Sequence, residues 1–207
     1  MAGAFVTRWR DNSGSGTAAS GFVSVSGPDP TPGSLLVGVI ETRANVQATV
    51  YNTIAGWDQV FQVAGTVGFS IYTRIAGLSG TNDFTPSWNE DKRWTALVYE
   101  FSGLDGTSPL ELFATDTTNI EGDSATCFTG TANPVSGLFA VAVCATDTSD
   151  WGDDSTIYTI DSGFSNLFFE NANVTARPAV GMASKSLSSP VATSATFSGP
   201  GGLAPNA

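Results

Sequence analysis

Carboxylates are the side chains of this sequence whose types and spacing come closest to supporting catalysis. Histidine is absent, which removes the commonest general base and the nucleophile–histidine pairs built on it. Two acids about 5–9 Å apart would still suffice to cleave a glycosidic bond. Glu121-Gly-Asp123 begins the acid-x-acid-x-x-acid pattern that many such sites carry on one strand, but Thr126 occupies the third acidic position. We therefore predict no catalytic residue and a protein that is not an enzyme.

A second acidic segment contains the oxygen ligands that Ca²⁺ prefers. Its acids are Asp147, Asp150, Asp153 and Asp154. They do not follow the spacing of an EF-hand loop, so solvated loop acids are the favoured interpretation. We predict no metal-binding residue and no cofactor.

The two cysteines, Cys127 and Cys144, have no further soft ligand beside them that would complete a zinc site. Each lies in an apolar or Thr-rich run, where buried thiols are the commoner outcome. A single bridge between neighbouring strands is the alternative, and it requires Cα atoms within about 7 Å. The sequence leaves both alternatives open.

Tryptophan offers a different chemistry, because an exposed indole ring can stack on a sugar. Four residues are candidates: Trp9, Trp57, Trp88 and Trp151. Burial in a core is the commoner fate of Trp in a β-sandwich, and Trp57, directly after Gly56, is predicted to be a core residue. Trp88 and Trp151 are the two positions at which substitution would test stacking.

The charge distribution excludes one class of partner. Eight basic and nineteen acidic residues give a net charge of −11. Between Arg93 and Arg177 there are twelve acids and no Lys or Arg. Such a surface repels phosphate backbones, so nucleic-acid binding is disfavoured. Solubility is the favoured reason for the charge, with a basic partner or divalent cations as the alternative.

Strand patterns run through the whole sequence. Residues 67–75 alternate apolar and polar side chains, as in a half-buried strand. Residues 35–40, 138–143 and 94–101 are nearly continuous apolar runs, which is typical of strands buried on both faces. No window has a capped helical stripe, and none is long and apolar enough to span a membrane. We predict an all-β, two-sheet antiparallel sandwich.

An internal repeat is predicted from the order of features in the two halves. Each half contains the same features in the same order: an apolar strand, a Gly-aromatic pair, a second strand ending in a basic residue, and a Thr-containing segment. The pairs are Leu35 and Leu138, Trp57 and Phe164, Arg74 and Lys185, and Thr85 and Thr196. Chance similarity between β-rich segments is the alternative. We interpret the repeat as two strand sets facing each other within one domain, residues 1–207. The Gly- and Pro-rich residues 199–207 form either a flexible end or an extended C-terminal arm that docks on a neighbour.

Several of these segments together resemble a known family. They are Pro-Gly-Ser-Leu-Leu-Val at 32–37, Gly56-Trp57, residues 71–76, and residues 94–105 followed by Ser-Pro-Leu at 108–110. The pattern resembles the concanavalin/laminin-G-like jelly-roll proteins encoded in the structural gene clusters of tailed bacteriophages, over most of residues 30–200. The sequence departs from it at Glu100-Phe101, where that family has an aromatic residue followed by Arg.

The resemblance implies a jelly-roll sandwich and a virion protein: a capsid decoration or head-fibre protein, or a tail-associated module. Its expected partners are capsid or tail proteins and further copies of itself. Residues 1–10 lack the pattern of a signal peptide, so we expect synthesis in the host cytoplasm and residence in the virion. The second hypothesis is a carbohydrate-binding module that recognises host glycans, and the third is a glycosidase or lyase.

Overall fold

The computed structural model of the chain consists of β-strands and connections. It describes residues 3–11, 18–25, 28–43, 49–64, 67–78, 82–104, 124–128, 139–148, 159–160, 163–171, 177–189, 191–200 and 204–206. These ranges contain no helix, and all strand pairs in them are antiparallel. The predicted all-β antiparallel fold is therefore confirmed.

Thirteen strands occur in the described ranges. They are β1 (Ala4–Asp11), β2 (Ala18–Ser20), β3 (Leu35–Arg43), β4 (Asp58–Val63), β5 (Val67–Ile75), β6 (Ser87–Ser102), β7 (Ser124–Phe128), β8 (Phe139–Thr148), β9 (Thr159–Ile160), β10 (Ser165–Asn171), β11 (Arg177–Ser186), β12 (Thr196–Pro200) and β13 (Ala204–Asn206).

The first sheet has the strand order β1-β6-β3-β5-β4. The three apolar or alternating segments that predicted strands in the first half of the chain form its centre, as β3, β5 and the second part of β6. The first part of β6 leaves this sheet and pairs with β2, with Ser87 opposite Ser20. On the other side of β6, Trp88 forms an isolated bridge with Tyr51. A small outer layer therefore covers the first sheet.

The second sheet has the order β10-β11-β8-β13, and a third has the order β7-β12-β9. The order β8-β11-β10 in the second half matches β3-β5-β4 in the first. The third sheet matches the small outer layer, because Ile160 pairs with Phe197 of β12 as Tyr51 pairs with Trp88. Both halves thus arrange their strands in one order.

The two larger sheets face each other across a central core. It consists of Leu35, Val37, Val39, Phe69, Leu97, Tyr99, Phe101, Val180 and Met182, with half-buried Phe139, Val141, Val143 and Phe168 against them. Because strand side chains alternate between faces, the intervening residues of each sheet point the opposite way. Those of the first sheet form a first outer core under the small layer, and they include Leu36, Ile40, Tyr72, Ala96 and Val98. Those of the second sheet, Ala142, Cys144 and Ala183, form a second outer core with Phe197 of the third sheet.

One corner recurs in the two halves. Gly56 precedes Trp57 and β4 with φ of 75°, and Gly163 precedes Phe164 and β10 with φ of 94°. A Cβ atom on Gly56 would lie 3.1 Å from Nη1 of Arg74. A Cβ atom on Gly163 would lie 2.8 Å from Nζ of Lys185. The Gly-aromatic pairs and the basic residues of the predicted repeat therefore lie together in both halves.

The C-terminal segment extends this arrangement within its own chain. Residues 199 and 200 end β12, and β13 pairs with β8, with Ala204 opposite Asp147. The described part of this segment therefore adds a strand to the second sheet. Leu138, the predicted counterpart of Leu35, lies outside the described residues.

Candidate functional surface

The tryptophans proposed for sugar stacking lie in the first outer core where the structure describes them. Trp9, Trp57, Trp88 and Trp94 are all buried there. Trp88 is 3 % exposed, with its ring 5.9 Å from that of Trp94. It therefore presents no face to a sugar ring, which corrects the stacking hypothesis at this position. The core prediction for Trp57 is confirmed, and Trp151 lies outside the described residues.

The acids considered for catalysis or calcium fall largely outside the described part of the chain. Glu121, Asp123, Asp150, Asp153 and Asp154 all lie there. Thr126 is on β7 and Asp147 is on β8. Among the residues that the structure does describe, no group of three or more metal-ligating side chains comes together.

Two charged residues of β6 are committed to the fold. Glu100 is 1 % exposed, and its Oε1 accepts a hydrogen bond of 2.8 Å from the backbone N–H of Thr31. Lys92 is buried too, with its Nζ 3.1 Å from Oε1 of the part-exposed Glu90. Glu100, at the position where the sequence departs from the phage family pattern, therefore anchors the segment before β3 and contributes nothing to the acidic surface.

The cysteines lie on strands of different sheets. Cys144 is buried on β8 in the second outer core. Cys127 lies on β7 opposite Phe197 of β12, and the described residues do not include its side chain. Since β7 pairs with β12 while β8 pairs with β11 and β13, the two cysteines do not lie on hydrogen-bonded neighbouring strands.

A polar network on β4 and β5 connects exposed and buried side chains through hydrogen bonds. We call it the amide cluster: Gln59, Gln62, Ser70 and Tyr72. Gln59 Nε2 lies 2.9 Å from Ser70 Oγ, 3.1 Å from the Tyr72 hydroxyl and 2.9 Å from Gln62 Oε1. Gln59 and Gln62 are exposed, whereas Ser70 and Tyr72 are buried. The cluster therefore joins buried hydroxyls to amides in contact with solvent.

The hydroxyls of Ser70 and Tyr72 determine which hydrogen bonds the Gln59 carboxamide donates. Ser70 Oγ donates to the carbonyl of Phe61, and the Tyr72 hydroxyl donates to the carbonyl of Asn52. Both oxygens can then only accept from Gln59, so its two N–H hydrogens are directed to them. Burial raises the pKa of Tyr72 above its usual value, although the neighbouring side chains of Ser70 and Gln59 oppose this. Tyr72 therefore stays protonated and keeps its bond to the carbonyl.

A β-bulge creates this cluster, and sequence reasoning missed it for that reason. Residues 59 and 62 are an odd number apart, so a regular strand would point them to opposite faces. In β4 the register shifts between Gln59 and Phe61, so that Gln59 lies opposite Tyr72 and Gln62 opposite Ser70. The bulge thus brings both glutamines to one face. The Gln-x-x-Gln spacing was the available signal, but nothing in it indicates a bulge.

A second hydroxyl network is buried next to the first sheet. Thr42 Oγ1 lies 2.8 Å from Thr49 Oγ1 and 2.9 Å from the Tyr51 hydroxyl. Burial raises the pKa of Tyr51 well above its usual value, with a smaller contribution from the charge of Glu41 and opposition from the Thr42 hydrogen bond. Because these groups are buried, they stabilise the fold and offer no contact to a ligand.

Comparisons with known proteins do not assign the chain to a family. No protein-family model, no curated protein and no solved structure matches this chain. Within the described ranges, no helix is long and apolar enough to cross a membrane.

Proposed function

We propose that this chain is a non-enzymatic structural protein of a bacteriophage virion that acts by assembling with capsid or tail proteins and with copies of itself. We further propose that its sheets form a jelly-roll sandwich built from two copies of one strand set. The described segments that carry the family resemblance support this proposal, because they contribute to β3, the Gly56-Trp57 corner, β5 and β6. Shared positions of core and turn residues favour a shared fold.

The observation that carries the assembly role is the outward face of the small layer over the first sheet. Phe22 and Val50 are 48 % and 51 % exposed. Phe22 follows β2, in which Ser20 lies opposite Ser87 on one side of β6. Val50 precedes Tyr51, which lies opposite Trp88 on the other side of β6. Because Val23 and Tyr51 point into the core, the alternation of side chains directs Phe22 and Val50 outward.

Polar side chains of the same layer bond to one another and to the backbone beside these apolar side chains. Asn52 Nδ2 donates to Ser87 Oγ, and Asn89 Oδ1 accepts from the backbone N–H of Val50. Apolar side chains surrounded by hydrogen-bonding groups are typical of protein–protein interfaces. The face therefore suits contact with another protein subunit.

Sedimentation tests this proposal. We expect the purified protein to self-associate or to co-sediment with phage particles, and the double variant Phe22→Asp, Val50→Asp to lose that association while keeping its far-UV spectrum. Leu78→Asp is the matched control, because Leu78 is 77 % exposed elsewhere on the molecule. A protein that neither self-associates nor binds particles would refute the assembly role, and equal loss in both variants would refute this face.

The amide cluster favours a second candidate function, recognition of host glycans. Amide and hydroxyl groups held in fixed positions are the polar contacts that orient a small ligand. Binding would not depend on Trp88, because that ring is in the core. Screening the purified protein on a glycan array tests this candidate independently of sedimentation.

A further inference from the structure

We propose that the amide cluster is a binding site for a neutral saccharide, with the carboxamides of Gln59 and Gln62 as its contact groups. This inference rests on the second candidate function and gives it a location. Its contact groups differ from those of the assembly face, which lies around Phe22 and Val50.

A count of hydrogen-bond donors and acceptors in the cluster shows which atoms of Gln59 and Gln62 can bond to a ligand. Gln59 has two N–H hydrogens for three neighbouring oxygens, those of Ser70, Tyr72 and Gln62. Ser70 and Tyr72 need both hydrogens, so Gln62 Oε1 receives at most a shared one. In the described part of the chain, no group bonds to Gln59 Oε1 or to Gln62 Nε2. One acceptor and one two-hydrogen donor therefore face solvent on adjacent side chains.

These free groups match a sugar hydroxyl and match an anion poorly. A hydroxyl both donates and accepts, so a pair of neighbouring hydroxyls can donate to Gln59 Oε1 and accept from Gln62 Nε2. An anion only accepts, so it could bond to Gln62 Nε2 but not to Gln59 Oε1. No member of the cluster carries a charge near neutral pH, since Tyr72 ionises only at alkaline pH. These groups therefore fit a neutral polyhydroxyl ligand.

The cluster is already ordered before any ligand binds. Gln59 is held by Ser70 and Tyr72, and these two residues are fixed in turn by the backbone carbonyls of Phe61 and Asn52. Binding then requires little further ordering of side chains, which reduces the entropy cost of association. Gln62 is the exposed end of this chain of bonds, so its substitution should affect binding and leave the fold intact.

The test uses neutral and anionic oligosaccharides with ¹⁵N-labelled protein. The probes are maltohexaose, cellohexaose, chitohexaose and, as the anionic comparison, oligogalacturonate. We expect at least one neutral probe to shift the side-chain amide signals of Gln59 and Gln62. We expect Gln62→Ala to weaken binding of that probe by about tenfold, the effect of losing roughly one or two ligand hydrogen bonds. Thr85→Ala, at an exposed position outside the cluster, should bind like the original protein.

The possible results distinguish an error in the location of the site from an error in the proposed glycan recognition. Binding of a neutral probe that Gln62→Ala leaves unchanged would overturn this site while retaining glycan recognition. No binding of any neutral probe, on the glycan array or by titration, would overturn both. Preferential binding of oligogalacturonate would overturn the assignment to neutral ligands. None of these results bears on self-association, which the Phe22→Asp, Val50→Asp variant tests separately.

Discussion

Tyr51 makes the stability of the protein depend on pH in the alkaline range. An unfolded Tyr ionises near pH 10, whereas burial raises the pKa of Tyr51 in the folded protein well above that value. The stabilising effect is complete below pH 10. Above pH 10 the unfolded state loses a proton that the folded state retains, so the free energy of unfolding falls as the pH rises, by up to about 1.4 kcal/mol per pH unit for this group.

Urea unfolding at pH 8, 10 and 11 measures this dependence. We expect Tyr51→Phe to be about 1 kcal/mol less stable at pH 8, because it loses its hydrogen bond to Thr42. Above pH 10 its stability should fall less steeply than that of the original protein. Parallel curves for the two proteins would contradict the assignment. Tyr72 contributes a further slope of the same sign in both proteins, since its pKa is also raised.

Glu100 is the second residue whose chemistry serves the fold. Its carboxylate is buried and accepts from the N–H of Thr31, and a hydrogen bond to a charged group contributes about 1.5–3 kcal/mol. We expect Glu100→Ala to lower the free energy of unfolding by about 2–3 kcal/mol. Glu100→Gln retains an acceptor for Thr31 and should cost less. Asp91→Asn, at an exposed position on the same strand, is the control and should change little. Similar effects of all three substitutions in thermal unfolding would contradict this role.

At the scale of elements, sequence patterns predicted the strands with strong periodicity. The alternation in β5 and the apolar runs in β3 and the second part of β6 indicated buried strands, because burial on one or both faces leaves a direct record in side-chain type. The pairing of Gly56-Trp57 with Gly163-Phe164 followed from residue order alone. These features are local, so one sequence is enough to reveal them.

Features that depend on register or on long-range pairing could not be predicted in this way. The bulge in β4 changes the face of Gln62 without any change in residue type. The division of β6 between β2 and β3 depends on which distant strands lie beside it. The same division places Trp88 under the small layer, which is why the sequence alone left its burial open. The amide cluster was missed because both of its exposed members depend on the bulge.

The repeated corner gives a prediction at the element scale. Gly56 and Gly163 adopt positive φ, which costs a residue with a Cβ atom about 1–2 kcal/mol. We expect Gly56→Ala and Gly163→Ala each to lower the free energy of unfolding by about that amount, as measured by urea denaturation. Asn tolerates positive φ better than Ala, and Gly56 is exposed, so Gly56→Asn should be less destabilising than Gly56→Ala. Equal effects of Asn and Ala would show that crowding against Arg74, rather than φ, determines the cost.

At the scale of the whole molecule, three apolar layers alternate with the sheets. The central core includes side chains from both large sheets, whereas each outer core draws on only one half of the chain. Each half could therefore bury one face of its large sheet by itself, but the other face is covered only when the halves meet. From this shared layer we propose that residues 1–207 form a single domain.

Met182 tests whether the two halves unfold as one unit. It is fully buried in the central core but belongs to β11 of the second sheet. Met→Ala substitutions in cores cost about 2–5 kcal/mol because they leave a cavity. Four of the five tryptophans lie in the first outer core, so tryptophan fluorescence reports mainly on the first half of the chain.

If the central core couples the halves, Met182→Ala should lower the urea midpoint by the same amount in fluorescence and in far-UV circular dichroism, in one transition. Phe197→Ala, in the second outer core, should behave in the same way, because coupling through the central core transmits its loss to the first half. Fluorescence midpoints that stay unchanged while circular dichroism shows an earlier transition would mean that the halves unfold separately. In that case residues 1–207 would comprise two stacked domains rather than one.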